Sequence, residues 1–411
     1  MRLKRAVITG CGAITPIGYS VEEMMRSLDG GVCATRTMPP EWNRYGRLRC
    51  QVGAPLELRD PKAIPRALRR TMSPMSIYAV QATLQALKQA GIDPASIATN
   101  PRIGCIMGST TGSPIAITQT YETLLSGNEY EMLGASEFFR CVSHTVALNV
   151  AQYLGIKGVV SATSAACASG LQAVGAAYDQ IRLGRQDIIL CGGAEELHET
   201  TVGSFDILYA ASSKYNDSPS QTPRPFDIAR DGLVCGEGAS AIVLEEYEHA
   251  VARGANILVE VIGYHTCSNG IHVSQSDDVS MALCMRTALE AAELSPSDIG
   301  YVSAHATGTA QGDAAEASAI RNVFGPDVPV SSLKGNMGHT LGASGPIELA
   351  ATIEMMNTGT IYPTHNLQEI DPTCAGIAHL REKTPHKFTA FLKNSFAFGG
   401  INSAIACSVL R

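Results

Sequence analysis

Two β-prone openings divide this 411-residue sequence. Residues 5–12 read as a first strand. Residues 257–264, just after a helical stretch at 247–253, read as a second. Each opening leads into helical segments that alternate with short apolar runs, such as Ile103-Gly104-Cys105-Ile106-Met107-Gly108 and Asp187-Ile188-Ile189-Leu190-Cys191-Gly192. Strands covered on both faces read as continuous apolar runs, and helices placed between them pack on the faces of the sheet. The expectation is an α/β protein of two similar halves. Residues 113–140 fit no clean strand–helix alternation.

Composition narrows the function classes. The chain is long enough for two or three domain units and a large core. A formal charge of −7 argues against a nucleic-acid binder, whose footprint is basic. Twelve cysteines are scattered without a C-x-x-C pair, so neither a zinc ribbon nor a redox motif is written in the sequence. Such scatter suits reduced thiols in a cytoplasmic protein. The N-terminal apolar run is short, lacks a cleavage-site pattern and leads into fold residues, so it is not read as a signal peptide. No run of about 18 apolar residues offers a membrane span. Gly10-Cys11-Gly12 after the first strand has the start of a dinucleotide fingerprint, but Thr15 stands where its third glycine belongs. No cofactor site is expected there.

The chemistry concentrates at three loops. Cys167 lies in Ser164-Ala165-Ala166-Cys167-Ala168-Ser169-Gly170, between a β-prone stretch at 158–163 and a helical run at 171–183. Small neighbours allow a sharp turn and leave the thiol uncrowded, and the positive end of a helix dipole favours thiolate. The segment reads as a nucleophile on a strand-to-helix turn. A small buried apolar cysteine is the competing reading. His305, in Ala304-His305-Ala306-Thr307-Gly308-Thr309, and His339, in Lys334-Gly335-Asn336-Met337-Gly338-His339-Thr340, each follow a β-like run and precede a helix. Carboxyl ends of strands are where α/β folds place their chemistry. A lone histidine is more often structural; two such loops beside a matching cysteine loop point to a site.

With these pieces in order, the sequence resembles the β-ketoacyl-acyl-carrier-protein synthases, condensing enzymes of the thiolase superfamily. The resemblance runs from Arg5-Ala6-Val7-Ile8-Thr9-Gly10 to Asn394-Ser395-Phe396-Ala397-Phe398-Gly399-Gly400-Ile401-Asn402. It takes in Ser213-Lys214-Tyr215-Asn216-Asp217, Arg224-Pro225-Phe226-Asp227, Arg230-Asp231-Gly232 and Gly236-Glu237-Gly238 on the way. It implies a thiolase-like α/β fold, with two halves at 1–250 and 251–411 stacked as a five-layer α-β-α-β-α sandwich. The first half brings the cysteine and the second both histidines. Residues 113–140 would then be an elaboration over the pocket and dimer face.

The resemblance also implies roles. Cys167 would take an acyl group from a thioester. The backbone N–H groups of Cys167 and Phe398 would form the oxyanion hole. His305 and His339 would donate to the enolate oxygen formed by decarboxylation, each needing an orienting partner on its other nitrogen. Lys334, counted with the catalytic residues, and Glu316 would form a supporting ion pair or network. Thr307 and Thr309 would hydrogen-bond the phosphopantetheine arm of an acyl carrier protein. Phe398 would gate the acyl pocket, Phe205 would line it, and Thr111 and Val142 would lie at the tunnel floor and dimer contact. No metal or resident cofactor is implied. The partners implied are an acyl carrier protein and a second subunit, either a like copy or a chain-length-factor homologue.

Lys62, Arg66, Arg69 and Arg70 are expected to form a carrier-docking patch, because 66, 69 and 70 have helical i, i+3, i+4 spacing and carrier proteins are acidic. A solvated helix face is the alternative. Close relatives usually carry a second basic segment; here residues 121–133 carry Glu122, Glu129 and Glu131 and no Lys or Arg. The Thr307-Gly308-Thr309 and Gly312-Asp313 elements look like polyketide or polyene ketosynthases, whereas 213–217 looks like the fatty-acid enzyme. Fatty-acid elongation is the general expectation. A thiolase would need a second catalytic cysteine near the C-terminus, where Phe398 stands instead. A third-type synthase would have Asn in place of one histidine. A non-catalytic chain-length factor would lack Cys167.

Overall fold

The computed structural model describes residues 3–127 and 130–410, so Glu129 lies outside the described residues. Strand β1 (Ala6–Ile14) is buried along its whole length, which accounts for its unbroken apolar sequence. β2 (Ile103–Gly108), β3 (Val160–Thr163), β4 (Ile188–Glu195) and β5 (Gly238–Glu246) complete the first half. β6 (Val259–Ser268), β7 (Tyr301–Ser303), β8 (Pro329–Ser331), β9 (Ala378–His379), β10 (Ala390–Ala397) and β11 (Ile401–Ser408) form the second. Their order is β9-β8-β7-β10-β11-β6-β1-β5-β4-β2-β3. The two sheets anticipated from the sequence share an edge: β1 and β6 pair antiparallel over Ala6↔Val261, Val7↔Glu260 and Ile8↔Val259. The pairing ends where the β1 register shifts between Ile8 and Gly10, and such an irregularity sharpens the local twist.

Helices fill three layers around these two lobes. In the first half, α1 (Val21–Asp29), α2 (Arg66–Arg69), α3 (Pro74–Ala90), α4 (Pro114–Leu125), α5 (Glu137–Cys141), α6 (Thr145–Leu154), α7 (Ser169–Arg182) and α8 (Glu199–Ile207) occur in chain order. The second half adds α9 (Asp278–Ala291), α10 (Ala310–Phe324) and α11 (Ser344–Thr358). α7 and α11 form the central layer. α7 packs on β4, β2 and β5 on one side and on β11 and β6 on the other, and α11 likewise touches β5 and β10. α3 and α6 cover the outer face of the first lobe, while α9 covers that of the second and carries α10 against it. This is the five-layer thiolase-like arrangement. A helix between two sheets has no polar face to show: α11 is buried from Ser344 to Met356 except at Glu354.

The Gly10-x-Gly12 pair serves packing. A Cβ at Gly10 would come within 2.1 Å of the Ala86 carbonyl oxygen, and one at Gly12 within 1.9 Å of that of Ala82. The glycines let β1 lie directly on α3, which is a helix–strand contact and not a phosphate turn.

Residues 113–140, which showed no alternation, contain α4 and α5. Pro114 opens α4 at a position where its missing N–H costs nothing, and the Ser113 hydroxyl accepts from the Ala116 N–H at 3.0 Å. The helix is mostly half-exposed, with Pro114 and Ala116 its buried residues, so no apolar stripe marked it. Among the described residues, no helix is long and apolar enough to cross a membrane.

Candidate active site

The turn carrying Cys167 is locked from within. Ala166 takes a left-handed φ of 47°, uncommon for a residue with a side chain. Its carbonyl accepts from the Ser169 hydroxyl at 2.6 Å, while the Ser169 oxygen accepts from the Ala165 N–H at 2.8 Å. Thr163 at the end of β3 donates to the Ser169 carbonyl at 2.7 Å. These bonds hold Cys167 just ahead of α7 and offset the turn's strain, of order 1–3 kcal/mol.

Both histidine loops meet this turn. One nitrogen of His305, one of His339 and the Cys167 sulfur lie within 4.8 Å of one another. The two imidazoles stand edge to face at 82°, with ring centroids 5.1 Å apart. All three residues are buried. Their backbones are fixed: the His305 N–H donates to Glu316 Oε1 at 2.8 Å, the His339 N–H to the Val234 carbonyl at 2.7 Å, and the His339 carbonyl accepts from Gly236 at 2.9 Å. The orienting side-chain partners expected for the rings are absent among the described protein atoms: Nδ1 of both histidines and Nε2 of His339 have none. The rings are positioned through their backbone and packing.

Burial decides the charge states. It drives His305 and His339 well below the usual histidine range, and the Lys334 ammonium adds to the effect, so both imidazoles are neutral near pH 7. Burial pushes the Cys167 thiol up to about 12. Lys334 and the N–H groups of Cys167 and Phe398 pull the other way, and Glu195 adds to the push. The helix dipole thus does not leave a free thiolate in the resting protein, contrary to the sequence expectation, because desolvation outweighs it. Those two N–H groups are the ones the resemblance gives to the oxyanion hole.

Of the ion pair or network expected from Lys334 and Glu316, the direct pair does not form. Lys334 Nζ meets Glu348 Oε1 at 2.6 Å, and Lys393 Nζ meets Glu348 Oε2 at 2.6 Å, all three side chains being fully buried. Glu316 instead accepts from the N–H groups of His305 at 2.8 Å and Ala306 at 2.6 Å, and from Asn394 Nδ2 at 3.2 Å. Burial lowers Lys393 to about 8, against the attraction of Glu348. Sequence reading missed Glu348 and Lys393. Their signal was a single charge in an apolar run, Pro346-Ile347-Glu348-Leu349 and Phe391-Leu392-Lys393.

A cavity of about 370 Å³ opens onto Cys167, His305 and His339. Thr307 and Thr309 line it, and the Thr307 hydroxyl donates to that of Thr309 at 3.2 Å. Buried Asp313, also unassigned from sequence, fixes this loop by accepting from the N–H groups of Thr307 at 3.0 Å, Gly308 at 3.1 Å and Phe226 at 2.8 Å. Phe398 lines the cavity, whereas Phe205, expected to line it, stands behind, its ring 5.7 Å from that of Phe398. Thr111 and Val142 do not line the cavity: Thr111 is exposed, and Val142 sits against Gly112. Residues 110–112 connect to the cysteine turn through the Ser164 hydroxyl, which donates to the Thr110 carbonyl at 3.0 Å.

Comparison with known proteins agrees with this geometry. The family model for the beta-ketoacyl synthase N-terminal domain matches residues 4–250, and that for the C-terminal domain matches residues 258–368. The chain belongs to the β-ketoacyl synthase family. It is 36% identical over 410 residues to 3-oxoacyl-[acyl-carrier-protein] synthase 1 of Escherichia coli (strain K12), covering 100% of both chains. A beta-ketoacyl synthase structure from Burkholderia phymatum STM815 superposes with a TM-score of 0.95 at 44% identity, over 99% of this chain and 100% of that one. A ketosynthase solved with its type II PKS acyl-carrier protein and bound to a hexaketide, AntDE:AntF, superposes with a TM-score of 0.88 at 30% identity, covering 100% of both.

The basic segment of this β-ketoacyl synthase family member divides in two. Lys62, Arg66 and Arg70 are exposed. Arg69 curls back to donate to the carbonyls of Pro61 at 2.7 Å and Ile64 at 3.4 Å, so it braces the segment and is withdrawn from the expected patch. None of the four lines the cavity. On the acidic side, Glu122 is engaged by Tyr45 and by Arg44 at 3.6 Å.

Proposed function

We propose that this protein is a β-ketoacyl-acyl-carrier-protein synthase that extends acyl chains by two carbons in fatty-acid biosynthesis, in the cytoplasm. The observation that carries this is a buried cysteine sharing 4.8 Å with two neutral imidazoles at the end of a cavity lined by Thr307 and Thr309. An acyl thioester on the phosphopantetheine arm of an acyl carrier protein enters past these threonines, whose hydroxyls hydrogen-bond the arm. The Cys167 sulfur attacks the thioester carbonyl, and the N–H groups of Cys167 and Phe398 hold the developing oxyanion. A neutral imidazole close by accepts the thiol proton, and the departing carrier thiolate takes it up.

Malonyl carrier protein then enters. Its carboxylate leaves as carbon dioxide, and the electron pair of the broken C–C bond moves into the thioester. His305 and His339 donate to the enolate oxygen, which neutral imidazoles do without a metal or cofactor. The enolate carbon attacks the acyl-cysteine, a C–C bond forms, and Cys167 leaves and regains a proton. Lys334, Lys393 and Glu348 act beneath the rings as a positioning unit, and Glu316 acts through the His305 backbone. Phe398 moves aside for the acyl chain against Phe205. Lys62, Arg66 and Arg70 steer the acidic carrier. The working unit is a dimer of like subunits.

A second reading is favoured by Thr307-Gly308-Thr309 and by the likeness to AntDE:AntF: a polyketide- or polyene-type ketosynthase paired with a chain-length-factor homologue. Product analysis separates the two. The purified protein alone, given a saturated acyl carrier protein and malonyl carrier protein, should release a β-ketoacyl product two carbons longer. Extension of polyenoyl chains only, or only after a partner subunit is added, would establish the second reading.

A further inference from the structure

Cys267 and Cys284 face each other across the boundary between β6 and α9. The Cys267 sulfur donates to the Ser280 carbonyl at 3.6 Å, one helical turn before Cys284. The Cys284 sulfur donates to the His265 carbonyl at 3.5 Å, two residues before Cys267 on the strand. Each thiol thus reaches the backbone beside the other. Cys267 is half-buried, whereas Cys284 is closed off in the core between β6, α9 and β11.

We propose that Cys267 and Cys284 form a peroxide-driven, reversible disulfide that controls the rim of the active-site cavity. Cys267 is the partner fitted to react first. Hydrogen bonds from Cys284 and Asn402 draw its thiol down to about 7, against its partial burial and the nearby Asp277 carboxylate. The interaction with Cys267 and burial hold the Cys284 thiol well above the usual range, so it keeps its proton while Cys267 reacts first. The Cys267 thiolate attacks one peroxide oxygen, the O–O bond breaks, and hydroxide leaves to become water. The sulfur of Cys284 then attacks the Cys267 sulfenic acid, expels the second hydroxide and gives up its proton. Two thiols and one hydrogen peroxide give one disulfide and two waters.

Position gives the bond its consequence. The segment between the two cysteines supplies Asn269, Val273, Ser274, Gln275, Ser276 and Asp277 to the cavity wall. It is stitched to the Phe398 loop, because the Asn269 N–H donates to the Gly400 carbonyl at 3.0 Å and the Gly399 N–H donates to the Val273 carbonyl at 2.7 Å. A disulfide from 267 to 284 ties both ends of this segment together at its root. These bonds join the rim to the Phe398 loop, so fixing one restrains the other.

The test is non-reducing peptide mapping of the whole protein after hydrogen peroxide, alongside Cys267→Ser and Cys284→Ala. A peptide joining Cys267 to Cys284, lost on addition of dithiothreitol, is expected in the wild type, and dimedone should trap sulfenic acid at Cys267 in Cys284→Ala. Absence of the joined peptide, or oxidation at Cys167 in its place, overturns the proposal. The activity arm rests on the condensing function and is read separately. With Cys167 still fully titratable, condensation should fall several-fold in oxidised wild type, return with dithiothreitol and stay unchanged in Cys267→Ser. Equal losses in wild type and Cys267→Ser would overturn control of the rim, even with the disulfide present.

Discussion

The floor and the rim of the cavity are built on opposite principles. The floor comprises Cys167, His305 and His339 over the Lys334–Glu348–Lys393 group. It sits against the central α7/α11 layer, every side chain buried and every backbone segment pinned. The rim is made of loop residues whose large apolar side chains face outward: Leu208 is 52% exposed, Tyr209 81% and Val273 68%. Groups that must stabilise charge appearing in a transition state gain from a dry, fixed setting, where each donor acts at low dielectric without reorganising. Groups that admit a carrier arm and an acyl chain must move. The fold therefore gives chemistry to its most buried layer and admission to an exposed rim.

The largest effect should come from breaking the floor's charge balance. Glu348→Gln leaves two buried ammonium groups without their shared counter-ion, and removal of one partner from a buried pair costs about 3–5 kcal/mol. Thermal or urea unfolding should show this loss, and a change within error of zero would mean that the lysines are held by other groups. Next in size are the imidazoles. His305→Ala and His339→Ala should each slow malonyl decarboxylation by about 10²–10³-fold, the worth of one oxyanion donor, while acyl loading of Cys167 suffers less. Loading that fails first in both variants would reverse the assignment.

The same rings make the floor sensitive to acid. Their folded pKa values are depressed, so the unfolded chain binds the additional protons once the pH drops below the ordinary histidine value of 6.5. Each contributes stability that is present above pH 6.5 and lost below it, at about 1.4 kcal/mol per pH unit. A His305→Gln/His339→Gln protein should show a correspondingly shallower fall in unfolding free energy between pH 6.5 and 5. An unchanged slope would show that the rings already carry protons in the fold. The smallest effect belongs outside the cavity. Charge reversal at Lys62, Arg66 or Arg70 should raise KM for carrier-borne substrates by a few-fold with little change in kcat, and less so at high salt. Arg69→Ala should instead lower stability.

What the sequence made legible follows the same division between local and tertiary cause. The cysteine turn could be read because small residues, a β-prone approach and a helical exit are all local to residues 158–183. The two histidine loops were readable for the same reason. The partner of Lys334 was not, since nothing near Lys334 or Glu316 states which carboxylate will arrive from α11. Glu348 and Lys393 betrayed themselves only as isolated charges in apolar runs. Helical spacing grouped Arg69 with Arg66 and Arg70, but the carbonyls of Pro61 and Ile64 claim it. The dipole argument for a Cys167 thiolate failed because burial, which no local pattern shows, is the larger influence.

Intact-mass spectrometry of the protein, incubated first with an acyl carrier protein bearing a saturated chain and then with malonyl carrier protein, addresses the central claim most directly. The account predicts one acyl mass located on Cys167, absent from Cys167→Ala, that disappears on malonyl addition as a β-ketoacyl carrier two carbons longer forms. An acyl mass on another residue, or extension that survives in Cys167→Ala, would contradict it.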